Sequence, residues 1–147
     1  MECCEVIGKH IGEIHRSSCI YFGKKFKKLG IGSGQYLFLL SLYKHDGMTQ
    51  EELTQKVKLD KATTARAVKK LEEEGYVKRV KRENDKRAYS LQITEKGEQI
   101  KEDVYLIMNE WENEVRKCIS NEESEQLAKL LNKLSKSPLI TKEGIYE

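Results

Sequence analysis

The 147-residue sequence predicts a mainly α-helical fold that contains one small β-hairpin. Through most of the chain, apolar residues recur every three or four positions, which is the spacing of amphipathic helices. Two short segments instead alternate apolar and polar residues, as half-buried strands do, and the turn-forming residues Asn84 and Asp85 lie between them. Because two short helical segments directly precede these strands, the order of elements predicts a helix-turn-helix followed by a hairpin.

The first third of the chain predicts two helices. An apolar stripe runs through a long first helix, about residues 5–29, which ends in the glycine-rich segment 30–34. The stripe consists of Ile7, Ile11, Ile14, Tyr21, Phe22 and Leu29. The following segment QYLFLLSLY, residues 35–43, is apolar almost all round, and this predicts a second helix that is buried within the domain.

Capping residues mark the next two helices. Thr49 and Glu52 have the spacing of a capping box, in which the two side chains accept hydrogen bonds from backbone N–H groups at the start of a helix. A short third helix, about residues 50–57, is therefore expected. Asp60 is placed to cap a fourth helix, because a carboxylate is favoured at the positive end of the helix dipole, and Gly75 closes that helix.

The fourth helix has two different faces. The face that its spacing predicts to pack against a core consists of Thr64, Ala67, Val68 and Leu71. The opposite surface combines small residues, which allow close approach to a base pair, with Lys and Arg side chains that reach base edges or phosphates. The residues predicted to bind DNA on this helix are Lys61, Ala62, Thr63, Arg66, Lys69 and Lys70, with Arg66 as the first choice for a base contact. The alternative is that these are ordinary solvated helix positions.

The hairpin has a basic turn. Residues 76–80 and 88–93 alternate as strands and are joined by KRENDKR, residues 81–87. We expect Arg82, Lys86 and Arg87 to project from this turn and to bind DNA beside the fourth helix. A narrow A·T-rich minor groove concentrates negative potential that attracts such side chains. The alternative is a solvated turn whose charges keep the protein soluble.

Positive charge is concentrated in this part of the chain. The whole sequence has 27 Lys and Arg residues against 24 Asp and Glu, a net charge of only +3. Between residues 54 and 90, twelve basic residues accompany six acidic ones, so the rest of the chain is net acidic. This distribution attracts a polyanion to one region only, and it favours double-stranded DNA as the partner.

The C-terminal third predicts two further helices. Thr94 is placed to cap a long helix, and Ser120 with Glu123 has the spacing of a second capping box. The long helix has an apolar stripe of Ile100, Val104, Ile107, Met108, Trp111, Val115 and Ile119, and the last helix has Leu127, Leu130, Leu131 and Leu134. The first stripe is too long for one small domain to cover, although closing the monomer core is the alternative role.

Several classes of protein are disfavoured. No apolar run approaches the roughly 20 residues that span a bilayer, and the N-terminal residues lack the pattern of a signal peptide, so no membrane partner and a cytoplasmic location are expected. The four cysteines and three histidines have no metal-like spacing. There is also no Gly-rich phosphate loop and no nucleophile motif. We therefore expect no enzyme activity, no cofactor and no metal.

From Gly34 to Gly97 the residues resemble the MarR (multiple antibiotic resistance regulator) family of bacterial and archaeal winged-helix transcription factors. The matching motifs are GQYLFLL, GMTQEEL, LDKATTARAVKKLEEEGYVKR and NDKRAYSLQITEKG. The combination is specific: D-K precedes the recognition helix, L-E-x-x-G-Y-V ends it, D-x-R lies in the wing, and L-x-I-T-x-x-G follows. A lone helix-turn-helix would not be specific.

The resemblance implies roles for individual residues. Ala62, Thr63 and Arg66 fall where family members contact the major groove, and Arg87 falls where the wing arginine enters the minor groove. Asp85 is similar to the wing aspartate that pairs with that arginine and orients it. Three residues depart from the family pattern and leave the operator sequence and affinity open: Ala62 replaces a commoner Ser, and Thr64 and Ala67 replace larger apolar residues.

The resemblance also implies the assembly. We expect one domain over residues 1–147, with the winged-helix part at about 34–97 and dimerisation helices at about 5–29 and 95–136. The first helix and the last two would interleave between two subunits of a homodimer. Such a dimer is expected to act as a repressor on a pseudo-palindromic operator whose half-site centres lie roughly 10 bp apart.

Regulation is less defined by the sequence. In MarR relatives, small phenolic or other apolar anions bind between the dimerisation region and the winged helix. Their binding changes the spacing of the two DNA-binding winged helices of the dimer. Side chains that would suit such a space are Tyr21, Phe22, Tyr36, His10, His15 and Trp111, but no ligand site is assigned.

Two alternative functions stay open. One branch of the family senses organic hydroperoxides through a cysteine in its first helix, where Cys19 lies here with Lys24 and Lys25 nearby; the default is a buried, inert thiol for Cys19. The other alternative is a winged helix that binds a protein. In that case the surfaces around Arg66 and Arg87 would be charge-balanced or apolar, whereas both are basic.

Overall fold

A computed structural model describes residues 6–85, 87–138 and 140, and it confirms the mainly α-helical fold with one hairpin. The elements are α1 (Val6–Phe26), a short 3-10 helix (Lys27–Leu29), α2 (Tyr36–Lys44), α3 (Gln50–Val57), α4 (Lys61–Glu73), β1 (Val77–Lys81), β2 (Tyr89–Ile93), α5 (Glu95–Gln99), α6 (Lys101–Arg116) and α7 (Asn121–Ser135). The chain divides into two compact units, Met1–Met108 and Asn109–Glu147. The single domain expected from the sequence stays a prediction.

The core of the first unit is built around α2. This helix contacts α3, α4 and β2, and its Phe38, Leu39 and Leu42 are fully buried. The expectation of a helix buried within the domain is met at these three residues, whereas Leu37 is 43% exposed. The other fully buried side chains include Phe26, Leu53, Val68, Leu71, Leu91 and Val104.

The predicted helix caps are present. The Thr49 hydroxyl accepts a hydrogen bond from the Glu52 backbone N–H at 3.1 Å, and the Glu52 carboxylate accepts one from the Thr49 backbone N–H at 2.9 Å. At the start of α4, Asp60 Oδ1 accepts the Thr63 N–H at 2.7 Å. A cap of this kind contributes about 1 kcal/mol, which matters for helices as short as α3.

The two strands form an antiparallel hairpin with Val77 opposite Ile93 and Lys81 opposite Tyr89. We call this hairpin the wing, and residues 83–87 its tip. The loop before α3 holds the middle of β2, since the Gly47 N–H donates to the Leu91 carbonyl at 3.0 Å and the Leu91 N–H donates to the Met48 carbonyl at 2.7 Å. The wing is therefore attached by backbone hydrogen bonds to the loop that precedes α3.

The long helix predicted after Thr94 is interrupted. Thr94 caps it as expected, but α5 ends at Gln99 and α6 begins at Lys101. Ile100 between them has φ −90° and ψ −1°, in the bridge region where the regular helical hydrogen-bond ladder breaks. Gly97 in α5 packs against the Tyr76 carbonyl so closely that a Cβ atom there would collide with it. Gly97 thus allows α5 to pack closely against the residues at the base of the wing.

The second unit contains the end of α6 and all of α7. The capping box of Ser120 and Glu123 is present at the start of α7. The predicted leucine stripe is also present, and its members remain at least 38% exposed: Leu127, Leu130, Leu131 and Leu134. This helix therefore presents an apolar face that the chain itself leaves exposed.

Candidate DNA interface

The two faces of α4 are separated as its sequence predicts. Thr64, Ala67, Val68 and Leu71 are buried, whereas Ala62, Arg66 and Lys69 are exposed. The buried Thr64 hydroxyl donates to the Asp60 carbonyl at 3.0 Å, which satisfies the one polar group on the inward face. The outward surface, which we call the reading face, is thereby fixed by the core: Lys61, Ala62, Thr63, Arg66, Lys69 and Lys70.

A chain of side-chain hydrogen bonds orients Arg66. The Thr63 hydroxyl donates to Asp60 Oδ2 at 2.7 Å and accepts a hydrogen bond from Arg66 Nη2 at 3.2 Å. The same Asp60 carboxylate caps the helix through its other oxygen. Because Asp60 is fixed by the helix start, Thr63 and Arg66 are held in a defined arrangement before any ligand binds.

The lysines of the reading face differ in their surroundings. Lys69 is exposed, whereas Lys70 is half-exposed and forms an ion pair with Glu74 at 3.2 Å, one turn later on α4. Lys61 is exposed at the first position of the helix. Ion pairs of this exposure are weak, so Lys70 can exchange Glu74 for a phosphate at little cost.

Arg82 does not project from the wing as the sequence predicted. Its guanidinium lies against the start of α3: Nη2 is 3.2 Å from Glu52 Oε2 and donates to the Gly47 carbonyl at 3.3 Å, while Nε donates to the Ser90 hydroxyl at 3.2 Å. The prediction assumed that a charged residue beside a turn points into solvent. Here an acid and a carbonyl within reach bind it instead.

At the tip, Asp85 has a different partner from the one that the sequence predicted. Asp85 Oδ1 accepts the backbone N–H of Arg87 at 3.0 Å, which is a local turn interaction. Among the described residues, no ion pair joins the Asp85 carboxylate to the Arg87 guanidinium, so the expected pairing of the two side chains is absent here. Arg87 itself is exposed, as predicted, and Lys86 lies outside the described residues.

Sequence reasoning missed Arg79. Its Nε lies 2.9 Å from Glu72 Oε1 on α4, and its Nη2 donates to Gln50 Oε1 on α3 at 2.8 Å. One side chain therefore links β1 to both helices of the helix-turn-helix. A signal was available, because strand alternation places Arg79 on the same side as buried Val77, and the acidic run 72–74 ends the preceding helix.

The Glu52 carboxylate binds both the start of α3 and Arg82. Hydrogen bonding from the Thr49 backbone lowers the pKa of Glu52 below its ordinary value of 4.5, and Arg82 lowers it further. Both donors favour the charged form. Glu52 is therefore a carboxylate at neutral pH and keeps both contacts.

The aromatic residues considered for an effector site pack on one another. Phe22 lies between Tyr21 and Tyr36, with ring centroids 5.5 Å and 4.8 Å away, and Tyr36 stacks on Phe26 at 5.2 Å. Burial raises the pKa of Tyr36, so its hydroxyl is neutral at physiological pH. These rings behave as core in the first unit, and Trp111 belongs to the second unit.

The partly exposed helix α1 contains His10, His15 and Cys19. His10 Nδ1 is 3.2 Å from Glu13 Oε2, and Cys19 Sγ is 3.6 Å from His15 Nε2. Cys19 is half-buried and Cys118 is exposed. Across the part of the chain that the structure describes, three or more His, Cys, Asp or Glu side chains never group in a way that could hold a metal ion.

Comparisons with known proteins identify the family. Residues 31–89 match the model of the MarR family. The chain is 34% identical to the HTH-type transcriptional regulator YybA of Bacillus subtilis (strain 168), over 88% of this chain and 86% of that protein. The chain belongs to the MarR family.

Solved structures agree with this membership. A MarR transcriptional regulator from Methanosarcina mazei Go1 superposes with a TM-score of 0.85 and 41% identity, covering 92% of this chain and 97% of that one. A MarR family regulator from Listeria monocytogenes, solved in complex with 26mer DNA, has a TM-score of 0.80 and 31% identity, covering 90% and 88%. This MarR protein is therefore a DNA-binding transcriptional regulator with a winged helix-turn-helix, and not an enzyme.

One further finding concerns membranes. No helix within residues 6–85 and 87–138 of this MarR regulator combines the length and the apolar character that crossing a bilayer requires.

Proposed function

We propose that this MarR regulator is a repressor that binds a pseudo-palindromic operator as a homodimer. The observation that carries the proposal is the division of α4 into a buried apolar face and an exposed reading face with Arg66 at its centre. A helix locked into the core by Leu71 and Val68 can enter a major groove as a rigid body. The proposed DNA contacts follow from this placement.

The reading face supplies two kinds of contact. Arg66 reads a base edge, and Ala62 and Thr63 allow the helix to approach the bases closely. The lysines at positions 61, 69 and 70 bind phosphates and fix the register of the helix. In the wing, Arg87 enters the neighbouring minor groove, and the proposal extends to Lys86. Arg82, predicted from sequence as a third wing contact, instead binds Glu52, Gly47 and Ser90.

Exposed apolar side chains on both units support the homodimer. On α1, Ile7 is 68% exposed and Ile14 is 59% exposed, and on α7 Leu130 is 52% exposed. Scattered apolar residues are common on protein surfaces, but stripes along whole helices mark an interaction site. We propose that a second copy of the chain covers both stripes, because a symmetric DNA site requires two identical reading heads.

Two measurements test this proposal. Duplexes selected from random DNA should contain inverted repeats, and affinity for them should fall steeply with salt, because several phosphate contacts release counterions. A protein-binding winged helix would instead show a weak salt dependence. In size-exclusion chromatography with light scattering, the protein should have twice the mass of one chain. Double substitution of Ile7 and Ile14 to Glu should yield monomers and abolish operator binding.

Repression and its release need a transcription assay. The regulator should lower transcription from a promoter that overlaps the selected operator, and an increase would assign activation instead. We propose a small phenolic or other apolar effector as the releasing signal. Titration with salicylate-like phenols should then weaken operator binding, whereas an unchanged affinity across such compounds would remove this part of the proposal. We also propose that the regulator is located in the cytoplasm.

Thiol sensing is a second candidate, and the contact between Cys19 Sγ and His15 at 3.6 Å favours it. A neighbouring imidazole stabilises a thiolate when it is protonated. An organic hydroperoxide should then release DNA from the native protein but not from the Cys19→Ser variant. Equal release from both would assign the effect to another residue.

A further inference from the structure

We propose that Arg82 is a positioning residue of the wing and not a DNA contact. Its guanidinium and the Glu52 carboxylate form a wing latch that sets the direction of the tip relative to α3. The inference rests on the proposed entry of Arg87 into the minor groove, because that contact is what the latch would position.

The latch joins three separate parts of the fold. From the end of β1, the Arg82 guanidinium reaches Glu52 Oε2 in α3 at 3.2 Å, the Gly47 carbonyl in the preceding loop at 3.3 Å, and the Ser90 hydroxyl in β2 at 3.2 Å. The planar guanidinium presents donors in fixed directions, so three partners together define its orientation. A side chain held in this way is not extended toward a phosphate.

The other half of the latch is equally fixed. Glu52 Oε2, the atom that binds Arg82, also accepts the Thr49 backbone N–H at 2.9 Å. The Glu52 backbone N–H in turn donates to the Thr49 hydroxyl at 3.1 Å. The carboxylate is thus held by the start of α3 and offers Arg82 a stationary partner.

The latch lies at a position along the wing where a small movement would produce a larger movement of the tip. The middle of β2 is held by backbone hydrogen bonds between Leu91 and the loop residues Gly47 and Met48. Arg82 lies farther toward the tip, beyond the last strand pair, where its own N–H donates to the Ala88 carbonyl at 3.0 Å. Because the described tip residues are exposed, the latch is the outermost tie between the wing and the helices. A small rotation of the hairpin at Arg82 would move Arg87 through a larger distance than it moves Arg82.

The two side chains are 36% and 52% exposed, so the latch contributes little to folding stability. Its proposed effect is on direction. Removal of a purely structural ion pair would mainly lower the melting temperature. Removal of the latch should mainly weaken the contact in one groove of the DNA.

Glu52→Gln tests the proposal through the sign of its effect. Gln preserves the capping box but removes the charge that binds Arg82. If Arg82 were a DNA contact, loss of this acid would free Arg82 and reduce repulsion of phosphates, so binding would tighten. If the latch positions the wing, affinity for a selected operator duplex should fall by about threefold to tenfold. Glu51→Gln is the matched control, because it removes an equal charge from the neighbouring position of α3.

A double-mutant cycle assigns the loss to the wing. In an Arg87→Ala background, Glu52→Gln should have almost no further effect, because the contact that the latch positions is already gone. In an Arg66→Ala background it should retain its full effect. A general loss of stability would lower affinity equally in both backgrounds. Arg82→Lys, which keeps the charge but loses the fork of donors, should reproduce Glu52→Gln.

Hydrogen exchange of the DNA-free protein provides a readout that needs no operator. Glu52→Gln should accelerate exchange of the Arg82 and Ala88 amides several-fold, whereas Glu51→Gln should leave them unchanged. Unaltered exchange, tighter DNA binding, or additivity with Arg87→Ala would each overturn the latch. A lack of effect of Arg87→Ala by itself would instead overturn the proposed minor-groove contact, so the two failures are distinguishable.

Discussion

Recognition helix α4 and the wing tip are both basic, but they are held by different forces. On α4 a row of fully buried side chains, including Val68 and Leu71, fixes which residues face outward. The tip has no such core, and its direction depends on polar contacts made by Arg82 and Arg79. Apolar packing therefore sets the element proposed to enter the major groove, whereas a few exchangeable hydrogen bonds set the element proposed to enter the minor groove. Substitutions in the two regions should consequently differ in what they change.

The largest effect should come from the core face of α4. Leu71→Ala deletes a fully buried side chain and should destabilise the protein by about 2 to 5 kcal/mol. Chemical denaturation measures this loss. Lys69→Ala on the exposed side of the same helix is the control and should stay within about 0.5 kcal/mol of the native protein. Similar losses for both would mean that α4 is not anchored by packing.

The next effect should be on base recognition. Arg66→Ala should lose about 1 to 3 kcal/mol of operator affinity and relax the preference for one base pair, whereas Lys70→Ala should weaken all sequences alike. Competition binding against operator and random duplexes measures the difference. Equal losses on both kinds of DNA for Arg66→Ala would contradict its assignment as the reading residue.

A smaller effect should come from the hydrogen-bonded chain that orients Arg66. Thr63→Val removes the hydroxyl between Asp60 and Arg66 but keeps the shape of the side chain. Operator affinity should fall by about 0.5 to 1.5 kcal/mol, as expected for one hydrogen bond. The melting temperature should change little, because the Asp60 cap is retained. An affinity equal to that of the native protein would show that Arg66 needs no orientation before binding.

The smallest effect should be the pH dependence of Glu52. Its lowered pKa means that the stability it contributes is fully present above its ordinary pKa of 4.5 and is lost as the pH falls through the lowered value. The difference in melting temperature between the native protein and Glu52→Gln should therefore be constant from about pH 7 to pH 5 and should shrink toward pH 3. A difference that changes between pH 7 and pH 5 would point to another titrating group.

The comparison also explains what could be predicted from sequence. The inward positions of α4 and the caps at Thr49, Asp60 and Thr94 were predicted correctly, because periodicity and capping are local properties of the chain. Placement of Arg82 was wrong, because Glu52 lies 30 positions earlier in the sequence and meets it only through the tertiary fold.

Two other features of the structure also differ from the predictions made from sequence. The interruption of the helix at Ile100 was missed because the apolar stripe continues through it without a change of periodicity. Arg79 was missed because its partners lie on two different helices, α3 and α4. Side chains that connect elements distant in sequence are therefore the part of the interface that pattern reading leaves open.

A single oxygen atom of Glu52 both accepts a capping hydrogen bond at the start of α3 and binds Arg82, where the tip of the wing begins. An amino-acid change at this position can leave one task intact while weakening the other, since glutamine caps a helix but lacks the negative charge that attracts a guanidinium. Under the proposed wing contact, natural or engineered variation at residue 52 would therefore retune the minor-groove preference while the contacts proposed for α4 stay the same.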